Sequence, residues 1–304
     1  MVALVGYTGF VGSNLYASGQ IDVGYNSKNI ASAYGTRPDL LIYAGLRAEK
    51  YLANNEPEKD MELIDQAEEN IRRIAPQKLI LISTIDVFKD SRHRDEYAEV
   101  NVDGLHAYGY NRYKLEQWVR SQYPDALIVR LPGLFGRNLK KNFIYDVIHV
   151  IPFMLKWEKM EELTQADPDL PQYYCRLDNG FYRVRNLRDD ERAVLKEKFR
   201  QVGFSAVNFT DSRSKYQFYD LSKLWKDIQT ALAHDLMMWH PATEPVSAAE
   251  IYQYLTGCAF VNELPGRPAD YDYRTAYAAL FGGEGCYICD KKAVLKAIKE
   301  SIEE

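Results

Sequence analysis

Three short runs hold the residues whose types and spacing are most able to do chemistry. The first is Gly6-x-x-Gly9-x-x-Gly12, which follows the apolar residues Val2–Val5 and leads into helix-compatible Ser13, Asn14 and Leu15. In a strand–turn–helix each glycine has a task. One permits the tight turn, one lets backbone approach a pyrophosphate, and one lets helix pack close on strand. Free N–H groups and the helix dipole then attract phosphate. Gly6, Thr8, Gly9, Phe10, Val11 and Gly12 are therefore candidate dinucleotide-binding residues. The second run, Ser83-Thr84-Ile85-Asp86-Val87-Phe88, closes an apolar stretch at a strand end, where α/β sheets carry their ligands. The third, residues 107–116 (AYGYNRYKLE), opens a helix and carries Tyr108, Tyr110, Arg112 and Lys114.

These runs need a framework, and composition bounds it. The chain has 304 residues, 46% hydrophobic and 27% charged, enough for one large domain or two modest ones. A net charge of −5 gives no electrostatic reason to expect nucleic acid or an anionic membrane as partner. No apolar stretch approaches the length of a membrane span. The N-terminus runs straight into a strand with no room for a signal peptide, so a cytoplasmic location is expected. The four cysteines are too sparse for a disulfide scaffold. Cys286-x-x-Cys289 has no second pair to complete a metal site, and His234 and His240 lack metal-ligand spacing, so no metal is expected.

The pattern between the runs is an alternation of strands and helices. Strands are expected at residues 2–5, 21–26, 38–44, 78–83 and 126–131, with a helix at 58–73 whose Met61, Ile64, Ala67 and Ile71 share one face. Such alternation implies a doubly wound parallel sheet with right-handed crossovers. In the NAD pattern an acid about 20 residues after the first glycine holds the ribose 2′-hydroxyl. Here that count reaches Asn26, followed by Ser27 and Lys28, so NADP is favoured over NAD. Strand ends at Ala44, Gly45, Ser83 and Leu131 join the list of cofactor candidates.

Beyond residue 150 the texture changes. Residues 173–184 read as a hairpin around Asp178-Asn179-Gly180, residues 190–201 as a charged helix, and 216–220 as a strand with a helix after it. Ser247-Ala-Ala-Glu250 is a capping box, and a last helix starts near Lys291. The expected division is a dinucleotide-binding domain over 1–145, to which 216–235 returns, and a smaller α+β substrate-binding part over 146–304.

Together with residues 130–136 (RLPGLFG), the three runs resemble the extended short-chain dehydrogenase/reductases, the family of NAD-dependent sugar epimerases and dehydratases. The resemblance covers residues 1–145 well and 216–227 loosely, and nothing between 146 and 215. It implies a catalytic Ser/Thr, Tyr and Lys, the last two four apart on one helical face. Thr84 matches the hydroxyl. Tyr110 with Lys114 satisfies the literal Tyr-x-x-x-Lys, whereas Tyr108 matches the Tyr-Gly start but puts Arg112 where lysine is expected. With Tyr108 at zero and about 100° per residue, Arg112, Leu115 and Val119 fall at about 40°, 340° and 20°, whereas Tyr110 and Lys114 fall at about 200° and 240°. The catalytic face must look toward the sheet, as Leu115 and Val119 do, which favours Tyr108 and Arg112. Both are then also cofactor candidates, with Arg112 orienting the ribose.

On the substrate side the resemblance implies Asp86 and Gly133, the latter where many such enzymes have asparagine. Lys141, Asn142 and Arg213 stand in basic clusters that suit a nucleotide-sugar pyrophosphate, a solvated basic face being the other reading. The expected activity is NAD(P)-dependent hydride transfer on a sugar, as epimerase, dehydratase or ketoreductase, with a tyrosine acid/base. A non-catalytic NAD(P)-binding sensor or scaffold is the alternative that Arg112 favours. The resemblance further implies a homodimer built on the helices at 58–73 and 108–123.

Overall fold

The computed structural model describes residues 1–303. Six strands, β1 (Val2–Val5), β2 (Val23–Tyr25), β3 (Leu40–Tyr43), β4 (Lys78–Thr84), β5 (Leu127–Leu131) and β6 (Met238–Trp239), form one sheet. Its order is β6-β5-β4-β3-β1-β2, and every pair is parallel. In register, Leu4 lies beside Ile42, Ile42 beside Ile80 and Ile80 beside Leu127. The expected doubly wound, Rossmann-type sheet is present, with a smaller α+β unit. The two-residue β6 is too short to leave a sequence pattern.

Four helices position the candidate residues: α1 (Phe10–Tyr16), α2 (Lys50–Asn55), α3 (Pro57–Ile74) and α4 (Ala107–Gln122). Alternate strand residues point to opposite faces. Val5, Leu41, Tyr43 and Leu81 pack with Ile64 and Ile71 of α3 and Leu115 and Val119 of α4. Leu4, Ile42, Ile80 and Val129 pack with Leu15 of α1 and with Leu224 and Ile228 of the helix Leu224–Ala233. Both faces are covered, which is why the strands read as continuous apolar runs. The face expected for α3 is the buried one, from partly buried Met61 to fully buried Ile64, Ala67 and Ile71.

The described residues divide into two compact units. The first holds residues 1–139, takes the chain back at Lys215–Val246, and takes it back again from Asp270 onward. In it Phe218–Asp220 pairs in parallel with Gly133–Phe135, outside the main sheet. The second unit comprises Lys140–Ser214 and Ser247–Ala269. Its sheet sets Phe181–Val184 between Met154–Lys156 and Tyr174–Arg176, all antiparallel, with the expected 178–180 turn closing the hairpin. The helix Asp189–Gln201 buries Leu195 and Phe199 in this unit's own core. The Ser247 capping box forms as read: Glu250 N–H donates to Ser247 Oγ at 3.1 Å, and Ser247 N–H to Glu250 Oε2 at 2.8 Å.

A buried ion pair fixes α4 on the first unit's sheet. Arg130 of β5 donates from Nη2 to Glu116 Oε2 at 2.6 Å and from Nε to Glu116 Oε1 at 3.1 Å. Ser83 of β4 donates to the same Oε1 at 2.5 Å. Removing one partner of such a pair strands the other charge in the core. Arg130→Met should therefore destabilise the protein by about 3–5 kcal/mol, read as a lower urea midpoint. A midpoint equal to that of the unaltered chain would show that the pair holds nothing.

Candidate functional site

In a sheet ordered this way the strand sequence reverses between β1 and β3, and ligands of α/β sheets bind at that switch point. The glycine turn sits there. Gly6 has φ +90°, and a Cβ on it would lie 2.3 Å from the carbonyl oxygen of Ala44, just past β3. A Cβ on Gly12 would lie 2.1 Å from the Gly6 carbonyl oxygen. The turn therefore packs against the end of β3 and against its own helix only because both side chains are missing. Gly9 and Thr8 are exposed, with Phe10 and Val11 half-buried behind them. Gly9 caps α1 without a side chain, which leaves the first-turn N–H groups without helix partners. Backbone donors, an exposed glycine and the positive end of a helix suit a pyrophosphate.

At the end of β2, Asn26 and Asn29 build a turn: Asn26 Oδ1 accepts from Lys28 N–H at 2.9 Å, and Asn29 Oδ1 from Asn26 N–H at 2.7 Å. Ser27 and Lys28 are exposed on it. Gly45 is exposed beyond β3, and Leu131 is buried at the end of β5.

The second cluster gathers at the end of β4 and the start of α4. Tyr108 is buried, with the Thr84 hydroxyl close enough to bear on the titration of its phenol. Thr84 also accepts from Asp86 N–H at 3.2 Å. Burial raises the phenol's pKa most, and the charges of Asp86 and Asp60 add to it; the Arg112 charge and the Thr84 hydroxyl oppose them. The Arg112 guanidinium lies 4.1 Å from the centre of the Tyr108 ring and is only 3% exposed. Its Nη1 pairs with Asp60 of α3, and its Nη2 donates to the Arg47 carbonyl at 2.7 Å. Asn111 donates to the same Asp60 carboxylate at 2.8 Å. Lys114 is exposed, and its ammonium stands 5.5 Å from the Tyr110 ring centre. The two registers thus lie on opposite sides of α4, with Tyr108 and Arg112 on the buried side.

Several residues here carried no signal in their own stretch. Asn54 of α2 accepts the Tyr108 N–H at 3.0 Å, Lys50 pairs with Asp86 at 3.0 Å, and Tyr271 donates to the same Asp86 oxygen at 3.4 Å. His106 could have been read as a helix cap, since it stands directly before Ala107. Its Nδ1 accepts the Gly109 N–H at 3.0 Å. Burial lowers its pKa most, Lys50 adds to this, and Asp86 opposes it.

The remaining expected residues fall elsewhere. Gly133 is exposed in its short strand. In the second unit Asn142 caps the helix Phe143–His149, accepting Tyr145 N–H at 3.1 Å, and Lys141 is exposed. Arg213 is engaged by Asp211 at 2.7 Å and Glu263 at 3.0 Å. Burial pushes Asp146, on the same helix as Asn142's cap, up to about 7. Trp118, on α4, packs partly buried against the sheet core with Arg72 over its ring at 5.4 Å. The four cysteines are unpaired, and no helix among the described residues is long and apolar enough to cross a membrane.

Fold and glycine turn together define a dinucleotide-binding type of α/β protein. Residues 2–153, half of the chain, match the family described as the RmlD substrate binding domain. The chain belongs to that family, an RmlD-like branch of the extended short-chain dehydrogenase/reductases. A search of curated protein sequences finds no match. Among solved structures, dTDP-4-dehydrorhamnose reductase from Yersinia enterocolitica has a TM-score of 0.64 at 12% identity, over 99% of this chain and 98% of that one. The Bacillus anthracis dTDP-4-dehydrorhamnose reductase, solved in complex with NADP, gives 0.63 at 16% identity over 99% and 98%. RMD from Pseudomonas aeruginosa, complexed with NADPH, gives 0.58 at 14% over the full length of both. At such identities the likeness is one of fold.

His106 yields a pH prediction with a definite sign. A histidine whose pKa is lowered on folding binds fewer protons folded than unfolded, so stability is full above its ordinary value of 6.5 and falls as pH drops below it. Protonation also turns Nδ1 into a donor and removes the cap on Gly109. His106→Asn keeps a capping oxygen without the titration. Urea unfolding at pH 7.5 and pH 5.5 should show a smaller acid-side loss for His106→Asn than for the unaltered chain. Equal losses would leave His149 and His240, whose pKa values burial also lowers, as the source.

Proposed function

We propose that the protein is an NAD(P)H-dependent reductase of a keto group on a nucleotide sugar. The observation that carries the reading is the Tyr108–Thr84 hydroxyl pair at the end of β4. It sits on the sheet that holds the glycine turn, with Tyr108 on the buried side of α4. Gly6, Thr8, Gly9, Phe10, Val11 and Gly12 would hold the pyrophosphate, and the β3 and β5 ends at Ala44, Gly45 and Leu131 would flank the rest of the cofactor. Exposed Lys28 favours NADP over NAD, in keeping with the NADP and NADPH of the solved relatives. Bound there, a reduced nicotinamide supplies hydride to an electrophilic carbon.

The chain's own task is then the proton. Burial keeps the Tyr108 phenol protonated at neutral pH, which suits a group that gives its proton to the oxygen of a carbonyl being reduced. Thr84 would hydrogen-bond that same oxygen. An enzyme that first oxidises its substrate needs the phenolate instead; the buried phenol and the likeness to dTDP-4-dehydrorhamnose reductases support reduction over epimerisation or dehydration. Arg112 would lower the cost of the phenolate by its charge and orient the ribose, with its Nη1 and Nη2 also bound to Asp60 and the Arg47 carbonyl. We assign substrate binding to Asp86 and Gly133 in the first unit and to the second unit with Lys141, Asn142 and Arg213. We also propose a homodimer through α3 and α4, where half-buried Trp118 would contribute. A non-catalytic NAD(P)-binding module is the second reading, favoured by the engaged Arg112.

The test uses NADPH and, as probe, dTDP-4-dehydrorhamnose. Calorimetry should detect NADPH binding that Gly9→Asp abolishes, and Lys28→Ala should weaken NADPH more than NADH. Loss of nicotinamide absorbance with the sugar supports the reductase; binding without loss across a panel of nucleotide 4-keto sugars supports the module. Tyr108→Phe should lower turnover by about 10²–10⁴-fold with NADPH affinity unchanged, and Tyr110→Phe should be nearly silent. Sensitivity at Tyr110 and Lys114 instead would overturn the choice of register.

A further inference from the structure

The segment leading into and through α2 is stitched at two points to α4 and at one to the turn after β4, and each stitch meets the surroundings of Tyr108. The Arg47 carbonyl accepts from Arg112, Lys50 Nζ lies 3.0 Å from Asp86 Oδ1, and Asn54 Oδ1 accepts the Tyr108 N–H. Lys50 is the stitch with a charge to spare. Its side chain is 42% exposed, against 21% for Asp86, so the pair is only partly screened by solvent. Asp86 is not a distant carboxylate. It follows Thr84 by two residues, its charge acts on both Tyr108 and His106, and Tyr271 donates to it from the other side.

We propose that Lys50 is a positioning residue of the Tyr108 site, pairing with Asp86 so that the carboxylate's charge does not oppose formation of the phenolate. The inference rests on the reading of Tyr108 as acid/base. Its physical basis is a division of labour. Arg112 stands where a lysine is expected and supplies charge, but Asp60 offsets much of that charge at the same guanidinium. That leaves Asp86 as the unopposed anion near the phenol unless Lys50 neutralises it. When the phenol gives up its proton, two negative charges would otherwise face each other across Thr84. The charged and titratable groups that face Tyr108 or its partners are Arg112 and His106 from its own helix and cap, Asp60 from α3, Asp86 after β4, Lys50 from α2, and the phenol of Tyr271 behind Asp86.

The experiment needs no substrate. A difluorotyrosine, more acidic than tyrosine, is placed at position 108 alone, and its ionisation is followed by fluorine NMR in a pH range that the folded protein tolerates. Lys50→Met should raise the midpoint by about 1 pH unit, and Lys50→Arg should leave it near that of the unaltered chain. Asp86→Asn should lower it, and adding Lys50→Met to Asp86→Asn should change it little. An unmoved midpoint in Lys50→Met overturns the proposal, as does a shift that persists undiminished without Asp86. If Lys50→Met fails to fold, as judged by circular dichroism, Lys50→Gln carries the same comparison. NADPH calorimetry on the unaltered chain reads the proposed function separately: absence of binding there would end that reading, while the fluorine midpoint still judges Lys50.

Discussion

The geometry of the candidate site depends on the buried contact among Glu116, Arg130 and Ser83. Two charges taken out of water are costly unless geometry and extra hydrogen bonds compensate, and here both carboxylate oxygens are engaged by the guanidinium and one also by a hydroxyl. The partners belong to three elements: α4, β5 and β4. A rotation of α4 about its axis would break the contact before it broke much apolar packing. Glu116 thereby fixes which side of α4 faces the sheet, and Tyr108, eight residues earlier, follows. The apolar contacts of Leu115 and Val119 favour the same face, but they tolerate small rotations that a bidentate pair does not.

Arg112 illustrates how a single change of cation redistributes work. A lysine ammonium at that place would be a flexible point charge, whereas a guanidinium is a planar fork that seeks two oriented acceptors. It has found them in Asp60 and the Arg47 carbonyl, and it lies against the Tyr108 ring. The side chain therefore acts as a brace between α3, α4 and the segment before α2. Bracing holds the ring still and leaves the guanidinium charge nearby. The carboxylate that anchors it, Asp60, in turn raises the proton affinity of the phenol that Arg112 lowers.

Local pattern made much of this legible. The five longer strands could be read because a sheet covered on both faces demands uninterrupted apolar runs, and the face of α3 because its apolar residues recur at helical spacing. The side of α4 that bears Tyr108 followed from angle alone, since Leu115 and Val119 identify the core-facing direction. Lys50, Asn54 and Tyr271 were not legible for the opposite reason. They reach the site from elements whose own stretches have no marked periodicity, and Tyr271 arrives from a segment that returns to the first unit only after the second is complete. Nor does any sequence rule announce that Arg112 will meet Asp60, fifty-two residues away. Pattern reports which face a residue takes, whereas partners between distant segments follow from the assembled fold.

The same contrast bears on what the site can do. A phenol in a dry pocket holds its proton, and every nearby anion strengthens that hold. A pocket meant to start by abstracting a proton should surround the phenol with net positive charge. Here the nearby charges come as pairs, Arg112 with Asp60 and Lys50 with Asp86, so they largely cancel and burial is left in control. Under the proposed reading, such a phenol would keep its proton at rest and release it only to a developing alkoxide. Paired charges also make the site sensitive to the loss of either partner, because each deletion converts a neutral pair into a bare charge beside the hydroxyl. Burial holds the phenol's proton, and the charges around it stand in two pairs drawn from four separate elements.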